Sequence, residues 1–217
     1  MTAGERGIWF DVRGTDRDDL ATFAERARRL DDAAVVRLRA RPPATVVAWV
    51  ATGFDVLASR VVGGRIRPAD LSAGADALLA GLATMAADGY VDPGFAMDSA
   101  WRGVLPSSTG FVHLDDVPAG AVLELAQRGT LLAKEHSSAH GPPASLLDQE
   151  VVEVSSDGDR VGIPMRCVFA LTAMGFLPEP VGAGEVVRVR TTPAWLRIDA
   201  RFGSVYRRRG DPAVVLR

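Results

Sequence analysis

Apolar positions in this chain repeat with two different periods, and the changes of period mark its elements. IWFDV, at 8–12, has the composition of a short strand, and Gly14-Thr15 breaks it. Leu20, Phe23, Ala24, Ala27 and Leu30 then recur at intervals of three and four, which predicts a helix with one apolar face. Thr15 or Asp16 can cap it, and Asp18 and Asp19 fall in the first turn, where the helix dipole favours acids. Strand-like runs follow at 35–39, 46–51 and 55–62, with Pro42-Pro43 and Thr52-Gly53 as breaks and Gly63-Gly64 as the end. A second helix is predicted from Ala69 to about Ala87, with Leu71, Leu78, Leu79, Leu82 and Met85 as its stripe. Residues 88–118 carry scattered Gly, Pro and Ser and read as an irregular connection pinned by Tyr90, Phe95, Trp101 and Phe111. A helix begins near Pro118, with Asp115 or Asp116 as its cap, and Gly129 ends or bends it. Runs at 151–154 and 160–163 flank Ser156-Asp157-Gly158-Asp159, a hairpin turn. Pro164 opens the helix MRCVFALTAMGF, which Gly175 caps and Pro178 blocks. Strands at 186–190, 195–200 and 204–209 complete the chain.

One phrase is used twice. VVRLR, a proline-bearing break and AWVATGFDV near the front match VVRVR, TTP and AWLRIDARFGSV at the back. The elements before each copy also agree, since IWFDV and the first helix correspond to VGIPM and the helix of Cys167. The predicted fold is therefore α+β with two related halves from an internal duplication. Each half is a helix packed on a mainly antiparallel sheet. The halves cover 1–87 and 119–217, and 88–118 connects them.

Alternation of side chains across a strand sorts the last three strands into two faces. Val187, Val189, Leu196, Ile198, Ala200 and Val205 form an apolar face suited to cover the Cys167 helix. Arg188, Arg190, Trp195, Arg197, Asp199, Arg201, Tyr206 and Arg208 form the other. Arginine with aromatics suits a protein or anionic partner. The competing reading is a solvated sheet face on which Asp199 and nearby acids pair the arginines. The candidate partner-binding or anion-binding residues are Arg188, Arg190, Arg197, Arg201, Tyr206 and Arg208. The front copy differs, because residues 46–51 are apolar on both sides of the strand. That pattern fits a central core strand or a dimer contact.

Composition narrows the classes. With 47% hydrophobic and 24% charged residues the chain is an ordinary globule, and a net charge of −2 gives no global attraction to nucleic acid or membrane. Lys134 is the only lysine, a bias expected of a high-GC genome, which weakens any argument from the choice of arginine alone. The single Cys167 forbids an internal disulfide or a cysteine zinc cluster. MTAGERGIWF lacks a signal-peptide layout and no apolar run reaches the length of a membrane span, so a cytoplasmic location is expected.

Candidate chemistry is sparse. His136 and His140, with Glu135, have a two-ligand spacing but no third ligand. Ser107, Ser108, His113, Asp115 and Asp116 supply the residue types of a hydrolase triad without a nucleophile elbow. Cys167 lies on an apolar helix, the setting of a small buried hydrophobe. No glycine-rich phosphate loop is present. No metal, cofactor or catalytic residue is predicted.

WRGVLPSSTGFVHLDDVPAGAVLELAQRG, GPPASLLDQEVVEV, VGIPMRCVFALTAMGFL and WLRIDARFGSVYRRRG resemble a conserved uncharacterised protein family of actinobacteria, mycobacteria included. That resemblance implies a cytoplasmic bacterial setting and assigns no activity, cofactor or site residue. The sequence thus predicts a non-enzymatic binding or scaffolding protein, acting as a homodimer or with a protein partner and not on membranes. The alternative is an anion- or nucleic-acid-binding module that uses the arginine face. The least favoured reading is an enzyme with a site between the halves, drawn from 101–116 and 135–148.

Overall fold

The computed structural model describes residues 6–136, 143–156 and 159–210. The chain divides into two compact units, the first made of Met1–Gly53 and Ser59–Val104, the second of Phe54–Ala58 and Leu105–Arg217.

In the first unit β1 (Gly7–Trp9) leads into α1 (Asp16–Leu30), then β2 (Val35–Arg41), β3 (Thr45–Thr52), β4 (Val56–Gly63), β5 (Arg65–Arg67), β6 (Asp70–Gly74), α2 (Ala75–Ala83) and β7 (Tyr90–Val91). The first residues of β4 group with the second unit. One sheet runs in the order β6-β2-β3-β4, and a smaller one runs β5-β1-β7. The expected face of α1 is the buried one: Leu20, Phe23, Ala24 and Ala27 are sealed, and each large side chain there contributes about 1.5–3 kcal/mol. Thr15 makes no side-chain cap. Instead the Asp16 carboxylate accepts the Gly63 backbone N–H at 2.5 Å, which ties the helix start to the end of β4. In β3, Val46, Ala48, Trp49 and Val50 are all buried. The doubly apolar strand is thus an interior strand of its sheet.

The predicted helix from Ala69 is corrected. Asp70–Gly74 is a strand, paired antiparallel with β2 from Val35↔Gly74 to Arg39↔Asp70, and the helix begins only at Ala75. Leu71, Ser72 and Ala73 form a continuous buried run. The free edge of β2 needs backbone partners, and that tertiary demand overrides local helical spacing. Leu78 and Leu82 keep their predicted buried role in α2.

The second unit contains β8 (Val112–Pro118), α3 (Ala119–His136), α4 (Ala144–Leu147), β9 (Glu150–Ser156), β10 (Asp159–Pro164), α5 (Met165–Ala173), β11 (Val186–Thr191), β12 (Trp195–Ala200) and β13 (Gly203–Arg208). Its sheet runs β13-β12-β11-β8, and β9 and β10 form the expected hairpin. The last part of the expected irregular connection is therefore a strand: β8 pairs with β11 from Thr191↔Val112 to Val186↔Pro118. Only Leu114 and Val117 of β8 turn inward, so the strand carries too few apolar residues to announce itself. Gly129 does not end α3, which continues to His136. A Cβ at Gly129 would lie 2.8 Å from the Met165 side chain, so this glycine lets α5 approach α3 closely. Gly175, at φ +64°, follows α5 as predicted.

The fold is α+β with antiparallel pairing, and the order β1-α1-β2-β3-β4 recurs as β10-α5-β11-β12-β13. Among the described residues no helix is long and apolar enough to cross a membrane.

Candidate functional site

The register of the second sheet produces the two predicted faces. Val189↔Ile198 and Ile198↔Val205 are cross-strand neighbours, and Val187, Val189, Leu196, Ile198 and Val205 are buried. On the opposite face Arg190, Arg197 and Tyr206 form one row across the strands, and Arg188, Asp199 and Ser204 form the next.

Asp199 organises this face. Arg190 Nη1 donates to its Oδ2 at 2.8 Å, Arg197 Nε donates to its Oδ1 at 2.6 Å, and the Ser204 hydroxyl donates to Oδ1 at 2.5 Å. The Arg197 guanidinium also lies 5.5 Å from the ring centres of both Phe111 and Tyr206, which meet edge-on at 6.0 Å. Phe111, just before β8, therefore covers one end of the row. Tyr206 is buried, and Arg190 and Arg197 are half-buried.

The remaining candidates are more open. Arg201 is hydrogen-bonded to Glu185; this holds the Glu185 carboxyl below its ordinary value and the guanidinium above its own. Arg188 is exposed, and its nearest carboxylate, Asp116, is 3.9 Å away. The Asp116 carboxylate also accepts from His113 Nε2 at 2.9 Å. Arg208 is exposed opposite Trp195 and has no carboxylate partner among the described residues. The structure thus brings Arg190, Arg197 and Tyr206 into one packed cluster and leaves Arg188, Arg201 and Arg208 around it. Sequence reasoning named Asp199 as a counter-charge and missed Phe111, Asp116 and Glu185. Phe111 and Glu185 lie outside the strands whose alternation was read, and Asp116 lies on the strand that was not recognised.

The first unit repeats the motif with different residues. Arg37 Nε and Nη2 make a two-pronged contact with Asp70, at 2.8 and 2.7 Å, and the guanidinium lies 5.9 Å from the Trp101 ring centre. The hydrogen bond from Arg37 holds the Asp70 carboxyl below its ordinary value, with burial opposing it.

The other candidate chemistries are not assembled. His140 lies outside the described residues, as does the side chain of His136, so their pairing is not described. Ser107 lies 3.5 Å from the Thr109 hydroxyl, and among the described residues neither Ser107 nor Ser108 is hydrogen-bonded to His113. Cys167 is buried, and desolvation pushes its thiol up to about 12 against the opposing charges of Arg207 and Arg166. Among the described residues no group of three or more His, Cys, Asp or Glu could hold a metal ion.

Among the described residues of this unit Arg166 is the buried charge. Its Nη1 donates to the Phe54 carbonyl at 2.6 Å, and its Nη2 donates to Asp148 at 2.5 Å. Arg207 reaches the same Asp148 oxygen at 3.3 Å. The network anchors the segment before β9 to the start of α5.

Two family models match the sequence, both described as domains of unknown function: DUF8010 over residues 4–103 and DUF8185 over residues 106–212. No curated protein matches. Solved structures resemble the chain throughout its length. A DNA polymerase sliding clamp from Caulobacter crescentus matches 99% of this chain and 69% of its own, at 12% identity and a TM-score of 0.56. The beta subunit of DNA polymerase from Streptococcus pyogenes matches 98% and 68%, at 10% identity and a TM-score of 0.57. The Helicobacter pylori beta clamp bound to a DNA ligase peptide matches 98% and 70%, at 10% identity and a TM-score of 0.56. At such low identity the likeness is one of fold: this chain has the α+β architecture of sliding clamps.

Proposed function

We infer that the protein is a non-enzymatic, cytoplasmic scaffold that binds a protein partner or a second copy of itself on a sliding-clamp-like fold. The observation that carries this reading is the fold likeness over 98% of the chain to a clamp crystallised with a peptide of another protein. The chemistry of the described residues supports it. The buried and half-buried arginines Arg37, Arg166, Arg190 and Arg197 are spent in ion pairs, and the one thiol is buried and held protonated.

The partner surface we assign is the outward face of the β13-β12-β11-β8 sheet. Arg188, Trp195, Arg201 and Arg208 make the contact, and Arg190, Arg197 and Tyr206 form the rigid support beneath. Arginine and aromatic side chains are the common anchors of protein interfaces. An anion-binding role for the same face is weaker, because Asp199, Glu185 and Asp116 already oppose its charge.

The test is capture of partners from an extract of the source cells on immobilised protein, with light scattering for self-association. Proteins or second copies bound by wild type should be lost from R188E/R208E at an unchanged melting temperature. A variant that keeps every partner refutes the assigned face. A monomer that retains nothing beyond a control protein of equal charge refutes the scaffold itself.

A further inference from the structure

We propose that one corner of the first unit, built by Arg39 and Arg41 of β2 and Arg65 and Arg67 of β5, binds the phosphodiester backbone of a nucleic acid. The proposal does not rest on the scaffold reading. Two backbone hydrogen bonds bring the corner together. The Ala40 N–H donates to the Ala69 carbonyl at 2.7 Å, and the Gly64 N–H donates to the Ala44 carbonyl at 3.0 Å. Ala40 is flanked by Arg39 and Arg41, Gly64 precedes Arg65, and Ala69 follows Arg67 by two residues. All four arginines are exposed.

Their charge is not compensated locally. Asp70 takes Arg37 at 2.7 Å and Arg39 at 3.3 Å, so one carboxylate serves two guanidinium groups. Arg41 reaches only the Thr45 hydroxyl, at 3.3 Å. Among the described residues Arg41, Arg65 and Arg67 have no carboxylate partner. The arrangement contrasts with the second sheet, where Arg190, Arg197 and Arg201 each face an acid. A net charge of −2 for the whole chain makes this local surplus more distinct.

The occupant follows from what the corner lacks. None of the exposed large apolar side chains lies within 39–45 or 64–69. Nor does either segment contain an aromatic residue, and protein interfaces combine their arginine anchors with Trp and Tyr. A polyanion needs only charge and forked donors, and guanidinium groups match phosphate oxygens in pairs. Arginines two residues apart on a strand stand about 6.6 Å apart along it, the scale of neighbouring phosphates on one nucleic-acid strand.

The experiment is fluorescence anisotropy of labelled single- and double-stranded oligonucleotides titrated with the full chain from about 50 to 200 mM salt, the range over which phosphate contacts lose most affinity. Wild type should bind at low salt. R65Q/R67Q should weaken binding about tenfold and reduce the salt slope on duplex by about 2, since each lost phosphate contact removes about 0.9. R28Q/R29Q, on α1 and paired with Glu25, should leave both unchanged. The proposal is overturned if wild type binds neither oligonucleotide or if R65Q/R67Q retains affinity and slope at an unchanged melting temperature. It is also overturned if polyglutamate competes as well as oligonucleotide at equal charge, which would assign the corner to an acidic protein.

Discussion

Replacing Asp199 by Asn asks whether the arginine face is held together by its central carboxylate or merely solvated. The change keeps the shape and removes the charge that Arg190 and Arg197 share. Those arginines sit directly opposite each other on β11 and β12, so the variant faces two like charges across one pair of strands. The side chains of Arg190, Arg197 and Asp199 are 32%, 25% and 17% exposed, between a surface pair and a buried one. Surface pairs contribute about 0–1 kcal/mol and breaking a buried pair costs about 3–5 kcal/mol, so the expected loss is about 2 kcal/mol. With an m-value of about 2 kcal/mol/M in urea, the midpoint should fall by about 1 M at unchanged slope. Equilibrium unfolding followed by tryptophan fluorescence measures it. The double variant with Arg197→Gln should lose less than the sum of the singles, because the interaction has already been removed. A midpoint shift below about 0.2 M, equivalent to under about 0.5 kcal/mol at that slope, would refute the reasoning. Water would then satisfy both arginines, and the whole row would be free to meet a partner.

Three further outcomes test the packing. Gly81→Ala should destabilise by about 2–3 kcal/mol despite the better helix propensity of Ala, because its Cβ would lie 1.9 Å from the Asp92 carbonyl oxygen; a stabilised variant in urea titration would contradict this close approach. Arg166→Met should cost about 3 kcal/mol and exceed Arg207→Ala, since Arg166 alone is buried and also serves the Phe54 carbonyl; equal losses would show that Asp148 is held mainly by Arg207. Cys167 should react with a disulfide reagent at pH 8 only as fast as the protein opens. Its thiol ionises near 9 when unfolded and near 12 when folded, so the unfolded chain sheds the proton first and stability falls as pH rises through that window. Cys167→Ala should show a shallower alkaline decline than wild type, and identical alkaline limbs would exclude the linkage.

Periodicity carried α1, turn and capping residues carried the β9–β10 hairpin and α5, and a repeated phrase carried the recurrence of one helix and three strands, because each of these signals is local in the chain. The two arginine-face rows were local in the same way, since a strand's alternation is fixed by its backbone. Partner choice is not written in such local patterns. Asp70–Gly74 became a strand because the edge of β2 needed hydrogen bonds, and β8 formed on β11 although only two of its side chains turn inward. The apolar run around Trp49 was legible, but only the sheet order made it an interior strand. Charge was the least legible quantity. The sequence lists arginines and acids, whereas tertiary structure alone decides that Asp199, Glu185 and Asp70 absorb some of them and that Arg41, Arg65 and Arg67 gather at one corner. Electrostatic energy depends on distances between residues remote in the chain, and those distances are set by the fold.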